Sequence, residues 1–191
     1  MASPTNPIPV ATYGKDPKIA EAVAEKLLPD IEVVHCCLTL PSALAELPAL
    51  VAGNLTILPT SGLGTNATAT DPPKRKVPQA IFFGGGFSDE EYEAIVSAVR
   101  ERAAGGEEEG RGRGGGGEEE EKKGKEKEKE QEKGAQNEDG KEGQAAKTKP
   151  QPVVFVKVQR RDVLAAGSFG PNPEVIAKVF RRKVAAALAA A

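Results

Sequence analysis

Apolar, β-branched segments alternate with amphipathic helical patterns four times along this sequence, and this alternation limits the available folds more than any other feature. The segments predicted as strands are 9–14, 31–38, 79–85 and 152–158. The segments predicted as helices begin at Pro17, after an Asp16 N-cap, and then cover 41–53, 88–104 and 172–191. Strand–helix pairs in series are typical of a parallel sheet with helices on both faces.

The predicted fold class is therefore α/β, with a doubly wound parallel four-stranded sheet in the order 2-1-3-4. Right-handed crossovers and short connections leave few other topologies. This order is flavodoxin-like but truncated, because it lacks a fifth strand. It puts the first and last helices on one face and the middle two on the other. Pro48 is expected to bend or divide the second helix.

One tract does not fit the alternation. Residues 105–149 are rich in Gly, Glu and Lys and have almost no apolar side chains. Such a tract cannot bury enough surface to offset its ordering entropy, so we predict a disordered insert within a single domain spanning 1–191. The Arg-Gly steps at 110–114 resemble RNA-binding segments but have no interleaved aromatics, so a solvated linker is favoured. The segment 54–78 is predicted to be a mostly irregular linker.

Charge and composition argue against several classes of partner. The formal net charge is −2, which gives no general attraction to nucleic acid. No run approaches the roughly 18 apolar residues that a membrane span requires, so no membrane partner is expected. Two cysteines and no export signal favour a reducing, cytoplasmic location. The nucleus is a second predicted location, because PPKRKVP at 72–78 resembles a minimal import signal.

The glycines Gly84, Gly85 and Gly86 stand between a predicted strand and a predicted helix, where many folds bind a nucleotide phosphate. Their spacing matches neither the dinucleotide fingerprint nor the P-loop. The helix that follows begins with a capping box, Ser88 and Glu91, and its first-turn carboxylates would repel a phosphate. We therefore predict a tight turn with close helix–strand packing. No cofactor is expected, and NAD, ATP and flavin should not bind tightly.

Catalytic and metal-binding constellations are sparse. His35 is the only histidine, so no His-based metal cluster is expected, and a packed or rim imidazole is favoured. Cys36 and Cys37 should point to opposite faces of a strand, with one of them in the core. No acid–base or nucleophile set is evident, which does not favour an enzyme. The first strand ends in Tyr13-Gly14 and not in acidic residues, which excludes a phosphoryl-accepting receiver domain.

Topology still predicts where a ligand would bind. In doubly wound sheets, ligands bind beyond the carboxyl ends of the strands at the point where the strand order reverses. Here that point lies between the first and third strands, and the long loop at 159–173 reaches the same edge. The candidate ligand-binding residues are Gly14, Lys15, Gly84, Gly85, Gly86, Arg160, Arg161 and Ser168. The positive charges of Arg160 and Arg161 favour an anionic ligand. The alternative is that both belong to a solvated loop.

A resemblance to known proteins rests on two segments, SGLGTNATA at 61–69 and KRKVPQAIFFGGGFSDEEYEAI at 74–95. They resemble a group of small uncharacterised fungal proteins with a truncated Rossmann-like or flavodoxin-like sheet. The resemblance covers Val10 to about Arg100 and, less clearly, the last strand and helix. It implies the fold and brings no catalytic residues.

Two functions follow as expectations. The favoured one is a non-enzymatic Rossmann-like interaction or accessory domain, whose protein partner the sequence does not identify. The alternative is a small-molecule binder or enzyme that uses the switch-point crevice for an anionic ligand.

Overall fold

The computed structural model describes residues 6–104 and 153–190. The insert predicted at 105–149 lies outside the described residues. The strands are β1 (Ile8–Tyr13), β2 (Ile31–Cys37), β3 (Ala80–Phe83) and β4 (Val154–Lys157). The helices are α1 (Pro17–Leu27), α2 (Leu40–Val51), α3 (Thr65–Thr68), α4 (Asp89–Ala104), α5 (Arg160–Ala165) and α6 (Pro173–Ala189), with a 3₁₀ turn at Pro72–Lys74. None of these helices is long and apolar enough to cross a membrane.

The four strands form one parallel sheet in the order β2-β1-β3-β4, which confirms the predicted topology. Tyr13 at the end of β1 pairs with Cys37 of β2 and Phe83 of β3, and Phe83 pairs in turn with Lys157 of β4. The carboxyl ends of all four strands therefore lie at one edge of the sheet, as parallel pairing requires.

Helices cover both faces of the sheet in the predicted arrangement. On one face α1 and α6 pack over the sheet, and the Phe82 and Phe180 ring centroids are 4.2 Å apart. On the other face α2 and α4 pack together, and Phe83 meets Tyr92 edge-on at 4.8 Å between centroids. Each face thus has its own apolar core.

Side-chain caps fix where two of the helices begin. The Asp16 carboxylate accepts hydrogen bonds from the backbone N–H groups of Lys18 (3.0 Å) and Ile19 (3.3 Å). The predicted capping box of α4 is also present, since Ser88 N–H donates to Glu91 (2.9 Å) and Glu91 N–H donates to Ser88 Oγ (3.2 Å). The chain itself therefore satisfies two backbone amides at the start of α1 and two at the start of α4.

Two local expectations are corrected by the structure. Of the two effects expected of Pro48, division of α2 does not occur, since the helix runs unbroken through it, and a bend stays a prediction. Proline removes one backbone donor, and the carbonyl that loses its partner is that of Leu44, on a part-exposed turn where water can replace it. The segment predicted as a loop at 159–173 contains α5, whose first turn is fixed by Asp162: its carboxylate accepts from Gln159 N–H (2.8 Å) and from Lys183 Nζ (2.6 Å) of α6.

Part of the 54–78 segment runs along β2, which is an edge strand. Ser61 Oγ donates to the Cys36 carbonyl (2.5 Å), and Thr65 Oγ1 donates to Glu32 (2.6 Å). Gly64 approaches so closely that a Cβ there would lie 2.6 Å from the Val34 carbonyl oxygen. The segment thereby covers an edge that would otherwise expose unpaired backbone groups.

Candidate functional site

A cavity of about 550 Å³ lies at the carboxyl-terminal edge of the sheet. Its walls include the chain after β1 (Gly14–Asp16), the turn after β3 (Gly84–Gly86) and the start of α5 after β4 (Val158–Arg160). The cavity therefore lies where the strand order reverses between β1 and β3, the position at which doubly wound folds bind ligands.

Most of the candidate residues are brought together at this cavity. Those that line it are Gly14, Lys15, Gly84, Gly85, Gly86, Arg160 and Ser168. Arg161 does not line it. It lies beside Asp162, and its charge contributes to the lowered pKa of that carboxyl group. The two neighbouring arginines therefore have different surroundings.

The sequence did not predict that much of the cavity wall is apolar. The apolar lining residues are Ile19, Ala20, Val23, Phe82, Val158, Val163, Leu164, Phe169, Pro171 and Ile176. Ile19 and Val23 of α1 belong to the apolar core on the face that α1 and α6 cover and also line the cavity, and helical periodicity does not distinguish a core contact from a cavity wall. One signal for an apolar cavity wall was available in the sequence, namely the apolar residues Leu164 and Phe169 in an otherwise polar segment. In the structure these two residues are 51% and 99% exposed.

Four of the cavity-lining residues carry titratable or permanently charged side chains, and two of these, Lys15 and Asp16, are already paired with other groups of the protein. Burial raises the pKa of Tyr13 to about 12, and the nearby Glu91 carboxylate adds to this rise, so the phenol stays protonated at neutral pH. Lys15 Nζ pairs with Glu91 at 2.9 Å, and Asp16 caps α1. Arg160 is exposed and makes no hydrogen bond or ion pair with other described residues. Among the described lining residues, Arg160 is therefore the one cation without a partner.

The helix starts at the cavity do not offer a free phosphate cradle. The first amides of α1 bind the Asp16 carboxylate, and Ser88 N–H at the start of α4 binds Glu91. Asp89 in the first turn of α4 pairs with Lys157. Anion binding at a helix N-terminus needs free N–H groups and an unopposed positive end. Carboxylates of the chain itself occupy both positions here.

The glycines around the cavity are not explained by close packing, contrary to the expectation. Gly86 has φ +92°, a backbone conformation that favours glycine. Gly14 and Gly85 have no such φ, and a Cβ at either position would meet no heavy atom within 4 Å. At Gly84 the nearest atom would be the Tyr13 carbonyl oxygen at 3.6 Å, an ordinary contact. At Gly14 and Gly85 no contact with the protein itself therefore requires glycine.

A second cluster of functional side chains lies away from the cavity, between β2 and α2. His35 Nε2 is 2.7 Å from Glu46 Oε2, and the Cys37 thiol donates to the same oxygen at 3.5 Å. The other carboxylate oxygen accepts from Thr60 Oγ1 (2.5 Å) and Thr60 N–H (3.3 Å). His35, Cys37 and Glu46 are all buried.

The structure corrects one expectation here, since both cysteines are buried, not one. Although His35 is the only histidine of the sequence, Cys37 and Glu46 lie close enough to it that the three could hold a metal ion. Burial lowers the pKa of His35, although the hydrogen bond to the Glu46 carboxylate opposes the shift. Burial raises the pKa of the Cys37 thiol, and the Glu46 charge raises it further. In these surroundings the imidazole is neutral and the thiol is protonated.

Comparisons with known proteins give one relative. No family model matches the chain, and no solved structure matches it. "Kojic acid related protein 6" of Aspergillus oryzae (strain ATCC 42149 / RIB 40) is 36% identical over 91 residues. These residues are 48% of this chain and span 50% of the length of that protein. The match agrees with a resemblance to a fungal protein, and the Rossmann-like and flavodoxin-like labels stay predictions.

Proposed function

We propose that the protein binds a small molecule with an apolar body and one anionic group in the switch-point cavity. The observation that carries this proposal is a cavity of about 550 Å³ located where the strand order reverses. Ligand sites in proteins commonly have volumes of roughly 300–1,000 Å³ and combine apolar walls with a few polar groups.

The walls and charges of the cavity define the chemical class of the ligand. Apolar side chains from α1, α5 and α6 favour an aliphatic or aromatic body, which gains free energy by leaving water. Arg160 favours one carboxylate or similar group at the rim, because it is the uncommitted cation among the described lining residues. The self-capped helix starts disfavour the polyphosphate of a nucleotide.

The two glycines with open space around them support the same proposal. Gly14 and Gly85 line the cavity, yet a Cβ at either position would meet no heavy atom of the described residues within 4 Å beyond the adjoining residues of the chain. Glycine is used where a ligand approaches the backbone closely. A ligand in the cavity therefore accounts for glycine at positions where packing does not.

The test is isothermal titration calorimetry with octanoate and 1-octanol, which share an apolar chain and differ in the carboxylate. Inorganic phosphate and AMP are the probes for the disfavoured class. Kojic acid is added because the name of the Aspergillus relative refers to it. We expect octanoate to bind more tightly than 1-octanol, and phosphate and AMP not to bind.

Arg160→Ala and Arg161→Ala form a matched pair of variants. A charge-assisted hydrogen bond contributes about 1.5–3 kcal/mol, so Arg160→Ala should weaken octanoate binding roughly tenfold or more. The Arg161→Ala control should bind octanoate as the unchanged protein does, because Arg161 does not line the cavity. Equal losses in the two variants, or no octanoate binding at millimolar concentration, would contradict the proposal.

A second candidate is the non-enzymatic interaction domain, in which the apolar rim receives a side chain of a protein partner. The observation that favours it is Phe169, which is 99% exposed at the cavity mouth. This candidate predicts no measurable binding of octanoate or of the other small probes. The small-molecule proposal predicts instead that Phe169→Ser weakens octanoate binding.

A further inference from the structure

We propose that His35, Cys37 and Glu46 form a binding site for a divalent transition metal ion, with Zn²⁺ as the best match. The three side chains supply one nitrogen, one sulfur and one oxygen ligand, and their ligand atoms all lie within 4.8 Å of one another. Imidazole, thiolate and carboxylate are the groups that bind zinc in proteins. The site is separate from the switch-point cavity, which none of the three residues lines.

Local structure explains why these side chains meet. His35 and Cys37 are two residues apart on β2, so both point to the same face of the sheet. Glu46 lies on α2. Ala43 and Leu47 of this helix pack on that face together with Cys37. A strand thus presents two ligands and the helix above it presents the third. All of these elements are regular secondary structure, which holds ligands in place better than loops do.

The charge of the cluster favours a cation. Glu46 is only 6% exposed, and its partners among the described residues are His35, Cys37 and Thr60, not lysine or arginine. A buried carboxylate with only neutral partners is unfavourable. Zn²⁺ with one thiolate, one carboxylate and a neutral imidazole has a net charge of zero. The metal would displace the thiol proton and supply the missing positive charge.

Two of the three ligand–ligand distances are close to those that a metal needs, and the third, between His35 and Cys37, lies within 4.8 Å. Zinc bonds of about 2.3 Å to sulfur and 2.0–2.2 Å to nitrogen and oxygen put tetrahedral ligand atoms roughly 3.3–3.6 Å apart. Cys37 Sγ and Glu46 Oε2 are already 3.5 Å apart. His35 Nε2 and Glu46 Oε2 are 2.7 Å apart and would have to separate by roughly 0.6 Å, which a small rotation of the Glu46 side chain achieves.

Thr60 gives the site a route to solvent and a fourth position. It is exposed, and its hydroxyl and N–H both bind Glu46 Oε1. Displacement of this one residue opens the carboxylate to water. A water molecule admitted there completes the tetrahedral set.

A purely hydrogen-bonded core cluster is the competing explanation, and it leaves one atom unsatisfied. His35 Nδ1 is buried and has no hydrogen-bond partner among the described residues. Coordination of a metal through Nε2 would leave Nδ1 unpaired as well, so this atom does not decide between the two explanations, and the measurement of bound metal does.

The test begins with the full chain, purified without a histidine tag, and measures bound metal by mass spectrometry. We expect an equimolar amount of a transition metal, principally zinc. After removal of the metal, added Co²⁺ should produce a near-ultraviolet thiolate-to-cobalt charge-transfer band. Cys37→Ser should abolish this band. The control Cys36→Ser should keep it, because Cys36 is the adjacent buried thiol outside the cluster.

X-ray absorption at the zinc edge gives a readout that needs no variant, in case Cys37→Ser fails to fold. We expect one sulfur at about 2.3 Å and nitrogen or oxygen ligands at about 2.0–2.2 Å. Absence of metal together with absence of a cobalt band would overturn the proposal. So would a cobalt band that survives in Cys37→Ser, or a zinc spectrum without sulfur.

Discussion

Replacement of Gly64 by alanine should destabilise the protein severely, because the absence of a Cβ at this position lets the 54–78 segment lie close against the edge strand β2. Gly64 has φ +104°, and an added Cβ would lie 2.6 Å from the Val34 carbonyl oxygen and 2.8 Å from the His35 backbone nitrogen. Both neighbours are backbone atoms of β2, so neither can move aside as a flexible side chain would. The segment would have to move away from the strand.

Two costs and one offsetting gain set the magnitude of the effect. A non-glycine residue in this left-handed region costs about 1–2 kcal/mol. Overpacking against a rigid neighbour costs about 1–3 kcal/mol. Loss of unfolded-state entropy on going from glycine to alanine returns about 0.4–1 kcal/mol. The expected net loss in the free energy of unfolding is therefore about 2–4 kcal/mol.

Gly62→Ala is the matched control, since Gly62 also has a positive φ, +73°, but no heavy atom lies within 4 Å of its added Cβ. It should lose only about 1 kcal/mol, the backbone contribution less the entropy gain. Urea unfolding followed by circular dichroism gives both values, provided the m-value is unchanged. Equal losses for Gly62→Ala and Gly64→Ala would refute the close contact between this segment and β2.

Three further predictions concern the site and the charges around the fold. Gly14→Leu should leave the melting temperature nearly unchanged and abolish octanoate binding, because its side chain enters open space at the cavity; thermal unfolding and calorimetry measure the two effects. Burial alone would raise the pKa of Glu32, but hydrogen bonds that include one from Lys76 (2.5 Å) outweigh this and hold the pKa below its usual 4.5. The resulting stability is present above pH 4.5 and is lost as pH falls through the folded-state pKa. The Glu32→Gln variant should therefore be less stable than the unchanged protein at pH 7 and should lose less of its free energy of unfolding on acidification. Urea unfolding at a series of pH values measures both effects. Asp162→Asn should destabilise the start of α5, since it weakens the bonds to Gln159 N–H and Lys183, and faster hydrogen exchange of the Gln159 amide would report this.

Local signals in the sequence predicted much of the fold. The alternation of strand and helix patterns led to the correct strand order, and the caps at Asp16 and Ser88 formed as predicted. These features depend on residues within a few positions of one another. Strand order also pointed to the edge of the sheet at which the cavity lies, while its use as a ligand site stays a prediction.

Features that depend on long-range contacts were not predictable. Glu46 lies 11 positions from His35 in sequence, and only the packing of α2 on β2 brings their side chains together. The short helix α5 depends on Lys183 of α6, a contact 21 residues away from Asp162. The commitment of Lys15 to Glu91 likewise required the folded structure, and it leaves Arg160 as the cation of the site.

The most direct measurement of the central claim is a titration of ¹⁵N-labelled protein with octanoate, followed by two-dimensional NMR of the backbone amides. If the switch-point cavity is the binding site, chemical-shift changes should concentrate at Gly14, Gly84–Gly86 and Arg160, and they should saturate with a single affinity. The Arg160→Ala variant should show the same pattern at higher octanoate concentration. Changes centred on β2 and α2 with the cavity amides unmoved, or weak shifts scattered over the surface that do not saturate, would contradict the account.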